Sequence, residues 1–363
     1  MKKITNLQLG TLSYFLSGAL FPFICFNSLI YLAKQDSYIS IIIGLGFGLI
    51  PLISFYYLFN YEPSLNIFDK NKKIFGRFGI IINIILVLLI FFMILCVFIN
   101  LVTFIQNEYL DKTPILLISI LFIIAILYTN YQGVNATLRA STIFFLLSII
   151  LFLTSIFGLL FKIDLSNFKP VLTHNYYQGS FSYLTYCILP YYLLLLIPKI
   201  RIVNNHKTAK ILFIFYFING FVQILITVSI IGIFGIKLAN LYNYPEFQIL
   251  KYVYLKGISS KINSILFINS ILDILIFIIY GLQFCITGIC TYIKKKKNTI
   301  SIVLSIILLL LTEKLVKTNF INNISNKVLM HIIFYTLMII LIISILFTKQ
   351  KVPSKKSKTN QTQ

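Results

Sequence analysis

The chain has 363 residues, 59% of them hydrophobic and only 11% charged, with a mean hydropathy of +0.93. That balance excludes a soluble domain, whose apolar residues fall in periodic stripes beneath a well-charged surface. A net charge of +22 would suggest nucleic acid in a soluble protein. Here the Lys and Arg sit in short loops and a tail between apolar runs, where they set topology and attract anionic membrane lipid, with no nucleic acid implied.

A hydrocarbon core of about 30 Å is crossed by roughly 20 apolar residues in helical form. Hydropathy and helix breakers predict ten spans, at about 9–32, 39–59, 80–105, 114–128, 141–161, 180–198, 211–236, 264–292, 300–315 and 328–347. The stretches Ile80 to Ile105, Ile211 to Ile236 and Val328 to Phe347 hold no charge at all. The fold class expected is an all-α polytopic integral membrane protein: a domain over 1–348, then a basic, disordered cytosolic tail over 349–363. Lys2 and Lys3 precede the first span without a small-residue cleavage site behind a short apolar core, so a cleavable signal peptide is not expected.

Charge supports the count. With ten spans and the N-terminus in the cytosol, the cytosolic segments hold Lys2, Lys3, Lys70, Lys72, Lys73, Arg77, Arg139, Lys199, Arg201, Lys207, Lys210, Lys294 to Lys297 and the tail lysines. That is about two thirds of the 31 Lys and Arg, the asymmetry that the positive-inside rule requires. Both termini are then cytosolic.

Two spans carry breakers. The first contains Ser17-Gly18-Ala19-Leu20-Phe21-Pro22 near its middle, with Gly10 at its edge; the sixth contains Leu189-Pro190 mid-span and Pro198 at its end. Proline removes a backbone donor and clashes with the preceding turn, and glycine relaxes the backbone. Either proline alone reads as an ordinary kink. The pair falls at corresponding positions of two five-helix halves, which is the sequence pointer to a midplane site in inverted-repeat transporters. Freed amides there can hold a carboxylate and freed carbonyls an ammonium or a cation. Ser17, Gly18, Ala19, Pro22, Leu189 and Pro190 are therefore the candidate ligand-binding residues.

Catalytic motifs are missing. His174, His206 and His331 lie apart, and no G-x-S-x-G, Walker loop or H-E-x-x-H occurs, so neither an enzyme nor a cofactor is expected. Cys25, Cys96, Cys187, Cys285 and Cys290 fall in hydrophobic segments without metal-ligand spacing and read as packing residues. Asp273 is the one acid deep in a span. A carboxylate there is costly unless protonated, paired or facing water. It reads as a proton site, a cation site or a ligand ammonium contact; equally as a neutral packing carboxyl bonded to Asn269, Gln283 or a neighbouring helix, or as an interfacial acid. Between spans seven and eight, Phe247, Leu250 and Tyr254 share a face that would suit an amphipathic lid or a helix resting on the membrane surface.

Several motifs together resemble a known family. Ile4-Thr5-x-x-Gln8, the Gly18 to Pro22 break, Ala33-x-Gln35-Asp36-x-Tyr38-Ile39-Ser40, Asn167-Phe168-Lys169-Pro170-Val171-Leu172, Tyr244-Pro245 and Gly257-Ile258-Ser259-Ser260-Lys261 occur in order along nearly the whole chain. In that order and spacing they resemble the B subunits of spore germinant receptors, within the amino acid–polyamine–organocation superfamily of permeases. Tyr38 stands where the family often has Trp, Lys261 where it often has Arg, and Tyr191 and Tyr192 occupy a helix that commonly carries a Glu. The resemblance implies a LeuT-type 5+5 inverted repeat with helices one and six broken, in the inner spore membrane. It implies sensing of a small nutrient germinant, such as an amino acid, sugar or nucleoside, together with A and C subunits. The alternative is a stand-alone amino acid transporter coupled to protons or sodium.

Overall fold

A computed structural model of the chain describes residues 3–173, 175–242, 244–252, 262–293, 296–318 and 327–351. Within them the regular structure is helical, apart from one isolated bridge between Ile4 and Ile202. Eight helical stretches are long and apolar enough to cross a membrane. The first, Phe26–Asn60, joins the second half of segment one to segment two. Of the ten expected spans, the first half of segment one and both halves of segment six, the two expected to be broken, fall outside these stretches.

Segment one consists of α1 (Asn6–Gly18), a turn at Ala19 and Leu20, a five-residue π-helix (Phe21–Cys25) and α2 (Phe26–Ala33). Thr5 and Gln8 form a capping box at its start: the Thr5 hydroxyl accepts from the Gln8 N–H at 3.2 Å, and Gln8 Oε1 accepts from the Thr5 N–H at 3.0 Å. Segment two is α3 (Ser37–Phe47) and α4 (Leu49–Asn60), followed by α5 (Ile67–Phe75). Segments three to five are α6 (Phe78–Tyr109), α7 (Ile115–Gln132) and α8 (Val134–Leu160). Segment six is α9 (Tyr176–Tyr186) and α10 (Ile188–Leu194); segment seven is α11 (Thr208–Leu241). The short α12 (Pro245–Gln248) precedes segments eight to ten, which are α13 (Ile262–Cys290), α14 (Lys297–Lys317) and α15 (Lys327–Lys351).

Four details depart from expectation. Arg139 lies inside α8 and not in a loop, because Gly133, at φ 81°, lets the helix restart at Val134. The Lys70 to Lys73 stretch is the amphipathic helix α5. Segment six breaks at Cys187, three residues before Pro190, which sits in the first turn of α10. Segment seven kinks at Gly235, whose φ of 63° and ψ of 172° are non-helical, and Asn167 Nδ2 bonds the nearby Gly232 carbonyl at 2.9 Å. Of the expected lid, the structure describes α12 and a 3₁₀ turn at Ile249–Tyr252; Tyr254 and Lys261 lie outside the described residues. The tail from residue 352 onward also lies outside them.

The loops gather at two ends, as ten crossings require. At the end holding the N-terminus, the Ile4 N–H donates to the Arg201 carbonyl (2.8 Å), the Ile200 N–H to that of Pro63 (3.2 Å) and Lys72 Nζ to that of Thr291 (3.3 Å). At the opposite end Asp36 accepts from the Leu172 and Thr173 N–H groups at 2.9 and 3.0 Å, and Gln248 Nε2 donates to Glu108 (2.9 Å). α13 is the central helix, with 72% of its apolar window buried, against 22% for α7 and 28% for α14 at the periphery. Helices in lipid associate through close packing and not through a hydrophobic driving force. Small residues therefore mark the crossings: Gly44 receives Tyr183, Gly220 receives Leu45, and Gly288 receives Phe68 and Val87.

Candidate functional site

The two breaks have one cause. Pro22 has no N–H to give the Gly18 carbonyl, and Pro190 has none for Tyr186, so each proline strips one α-helical bond from the turn before it. In segment one the chain recovers through a π turn, the Cys25 N–H reaching the Leu20 carbonyl at 3.2 Å. Such π turns frequently occupy functional positions. In segment six it recovers through a tight turn, the Cys187 N–H reaching Leu184 at 3.1 Å.

Between the breaks lies a narrow, open-sided cavity. Segment one contributes Ser17, Phe21 and Cys25; segment six Tyr183, Tyr186, Cys187 and Tyr191; segment seven Tyr216, Asn219 and Gln223. The lining offers aromatic faces, hydroxyls, amides and thiols, and no charge. A directional chain of bonds crosses it: Tyr183 Oη donates to Gln223 Oε1 (2.6 Å), Gln223 Nε2 to Asn219 Oδ1 (2.6 Å), and Asn219 Nδ2 to the Tyr14 carbonyl (3.1 Å). That chain ties segment six to seven and seven to one. A second branch leaves through Tyr186. Ser28 Oγ lies 3.4 Å from Tyr186 Oη and 3.1 Å from Ser182 Oγ, which lies 2.9 Å from His331 Nε2 on α15.

Asp273 stands at the edge of this site. A Cβ on Gly18 would fall 2.9 Å from Asp273 Oδ2 and 3.7 Å from Asn219 Nδ2, so the carboxylate packs on the break of segment one. Its Oδ1 is buried without a hydrogen-bond partner. Neither bond considered for it from sequence forms: Gln283 bonds Thr137 (2.8 Å), and Asn269 Oδ1 is itself unpartnered.

The candidate residues are thus placed unequally. Ser17 lines the cavity, and Gly18 lies against Asp273. Ala19 is buried in the turn, and Pro22 opens the π-helix. Leu189 and Pro190 are buried in α10, one to three residues from Cys187 and Tyr191, which do line the cavity. Sequence reasoning missed the segment seven wall. Asn219 and Gln223 are the two amides in the charge-free run Ile211 to Ile236, one helical turn apart, and that spacing was a readable signal.

A family model described as spore germination protein matches residues 23–321. The chain belongs to the spore germination protein family. A search of curated proteins found no match. Among solved structures, the chain is similar to Mhp1, a nucleobase-cation-symport-1 family transporter, in a closed conformation with bromovinylhydantoin bound. The TM-score is 0.57 at 13% identity, over 86% of this chain and 72% of that one. At that identity the likeness speaks for the fold, which is the LeuT type: ten segments in two halves, with the first of each half broken. This spore germination protein is accordingly an integral membrane protein of permease type.

Proposed function

We propose that this spore germination protein is the nutrient-sensing membrane subunit of a germinant receptor. It binds a small molecule near the broken parts of segments one and six and passes the change to A and C partner subunits. The observation that carries the reading is a cavity lined from both broken segments. Its uncharged lining of tyrosines, amides and Ser17 suits a neutral or zwitterionic nutrient such as an amino acid, sugar or nucleoside. Bidentate amides and hydroxyls recognise such ligands through placed hydrogen bonds inside a mostly apolar wall. A structural neighbour with the same fold holds a bound small molecule, which supports a small-molecule ligand for this bundle. Both termini are placed in the cytosol by the positive-inside rule, with the protein in the inner spore membrane.

In a sensor, closure around the nutrient needs differential contacts in two states. The bond chain Tyr183–Gln223–Asn219–Tyr14 supplies them, because a ligand that inserts between its members repositions three segments together. Asp273 is the ion-site candidate of the alternative, a coupled carrier. In that case Asp273→Asn would abolish uphill uptake while sparing exchange. The test is twofold. Spores lacking the chain should lose germination to one nutrient class, and the chain alone in proteoliposomes should show no concentrative uptake. Robust uptake by the chain alone would reject the receptor reading.

A further inference from the structure

Arg201 follows α10 at the N-terminal end of the bundle, and its surroundings hold donors without an acid. Its Nη2 donates to Asn135 Oδ1 at 3.2 Å, while its Nε is buried without a partner. Among the described residues no carboxylate forms an ion pair with it. Two residues along α8 from Asn135, Thr137 bonds Gln283 of α13 at 2.8 Å, and the other amide atom of Gln283 is buried and unpartnered. One turn back on α13, Tyr280 is fully buried with an unpartnered hydroxyl, within electrostatic reach of the Arg201 charge.

The backbone that carries Arg201 is held by the start of the chain. The Ile4 N–H donates to the Arg201 carbonyl, the Val203 N–H donates back to Ile4 (2.9 Å), and Asn6 Nδ2 bonds the Val203 and Asn204 carbonyls at 3.1 and 3.0 Å. A strap from the N-terminus therefore holds the segment that carries Arg201. A half-buried cation with no anion beside it, and buried polar atoms left unpaired, both disfavour the folded chain until something satisfies them. The oxygen and nitrogen of an amide are assigned by their bonding, so Gln283 can accept from the Thr137 hydroxyl and turn its NH₂ inward. The group then presents a guanidinium N–H, a phenol O–H and an amide N–H.

We propose that Arg201, Tyr280 and Gln283 form a site for a small anion, of carboxylate or halide size, between segments six and eight. Tyr280 lies seven residues from Asp273 on α13, about 10 Å along the helix, so this site is distinct from the cavity at the breaks. Burial of the Tyr280 hydroxyl and the Arg201 Nε beneath the strapped loop favours a free anion over a lipid headgroup.

The experiment uses the purified full chain at constant ionic strength, with gluconate replaced stepwise by chloride or by acetate. The unfolding midpoint should rise saturably, by about 5 °C. A response to acetate alone makes the site a carboxylate site, and a response to chloride alone a halide site. Tyr280→Phe and Arg201→Gln should each remove the saturable part. Tyr280→Phe keeps the shape and guards against loss of folding in the arginine variant. The proposal is overturned if the variants respond as the wild type does, if neither small anion exceeds gluconate, or if only phosphatidylglycerol in place of phosphatidylcholine raises the midpoint.

Discussion

Gly18 and Asp273 occupy each other's space. With a Cβ placed 2.9 Å from Asp273 Oδ2, even Gly18→Ala forces the carboxylate to move, and overpacking of this kind costs about 1–3 kcal/mol. In Gly18→Ala/Asp273→Ala the added methyl meets no carboxylate. Thermal unfolding of the purified variants should show the double change less destabilised than the sum of the singles; simple additivity would mean that the two do not touch. Gly10 is a poor control, since its Cβ would meet the Phe215 ring at 2.4 Å. Gly46, with nothing within 4 Å, is the suitable one. A second residue tests the α5 junction. Lys70 is buried, its Nζ donating to the Leu58 carbonyl at 2.6 Å, and burial pulls its pKa down to about 8, with Glu62 opposing and Lys199 adding to the shift. The folded value lies below the unfolded one of 10.5, so between pH 8 and 10.5 the unfolded chain binds more protons and stability rises with pH. Lys70→Met should lack that rise, read as the difference between the two unfolding curves from pH 7.5 to 10.

At the scale of elements, α12 lies over the C-terminal end of α6, where the Phe247 and Phe104 rings are 4.2 Å apart and Lys251 pairs with Glu108 at 3.0 Å. Glu246 is buried within it, both carboxylate oxygens lacking partners, and burial pushes its pKa well above the usual carboxylate range. A folded value above the unfolded one makes docking of α12 strongest in acid and weaker as pH rises past the unfolded pKa. Hydrogen exchange over residues 244–252 should therefore quicken from pH 5 to 8 after correction for the intrinsic rate. Glu246→Gln should flatten that trend, and an equal trend in both would exclude Glu246 as its source. Long crossings such as α6 and α13 were legible in the sequence because an apolar run of that length has little else to form. The break in segment one was legible because Gly18 and Pro22 act locally. The Cys187 break was displaced because a proline disrupts the turn before it, and Gly235 was hidden because a lone glycine in an apolar run does not announce a positive φ.

The whole molecule is held at both ends. The Ile4–Ile202 strap joins the start of segment one to the loop after segment six, while Asp36 and Gln35, the latter donating to the Pro170 carbonyl at 2.8 Å, join its other end to the loop before segment six. Several residues that carried the family resemblance thus act as clasps between the two broken segments, and the cavity lies between the clasps. Family and fold were readable from such motifs. In segment seven the pair Asn219 and Gln223 marked a polar face, but which neighbours that face meets is set by packing and not by composition. The central claim is that the nutrient is sensed in this cavity, where the Gln223 amide bridges Tyr183 and Asn219. The measurement is the germination dose–response of spores carrying Gln223→Leu at wild-type protein level. Loss of a placed hydrogen bond costs on the order of 1.4 kcal/mol, so the half-maximal nutrient concentration should rise about tenfold or more, with Gly46→Leu unchanged. A Gln223→Leu curve superimposed on the wild type would contradict the account.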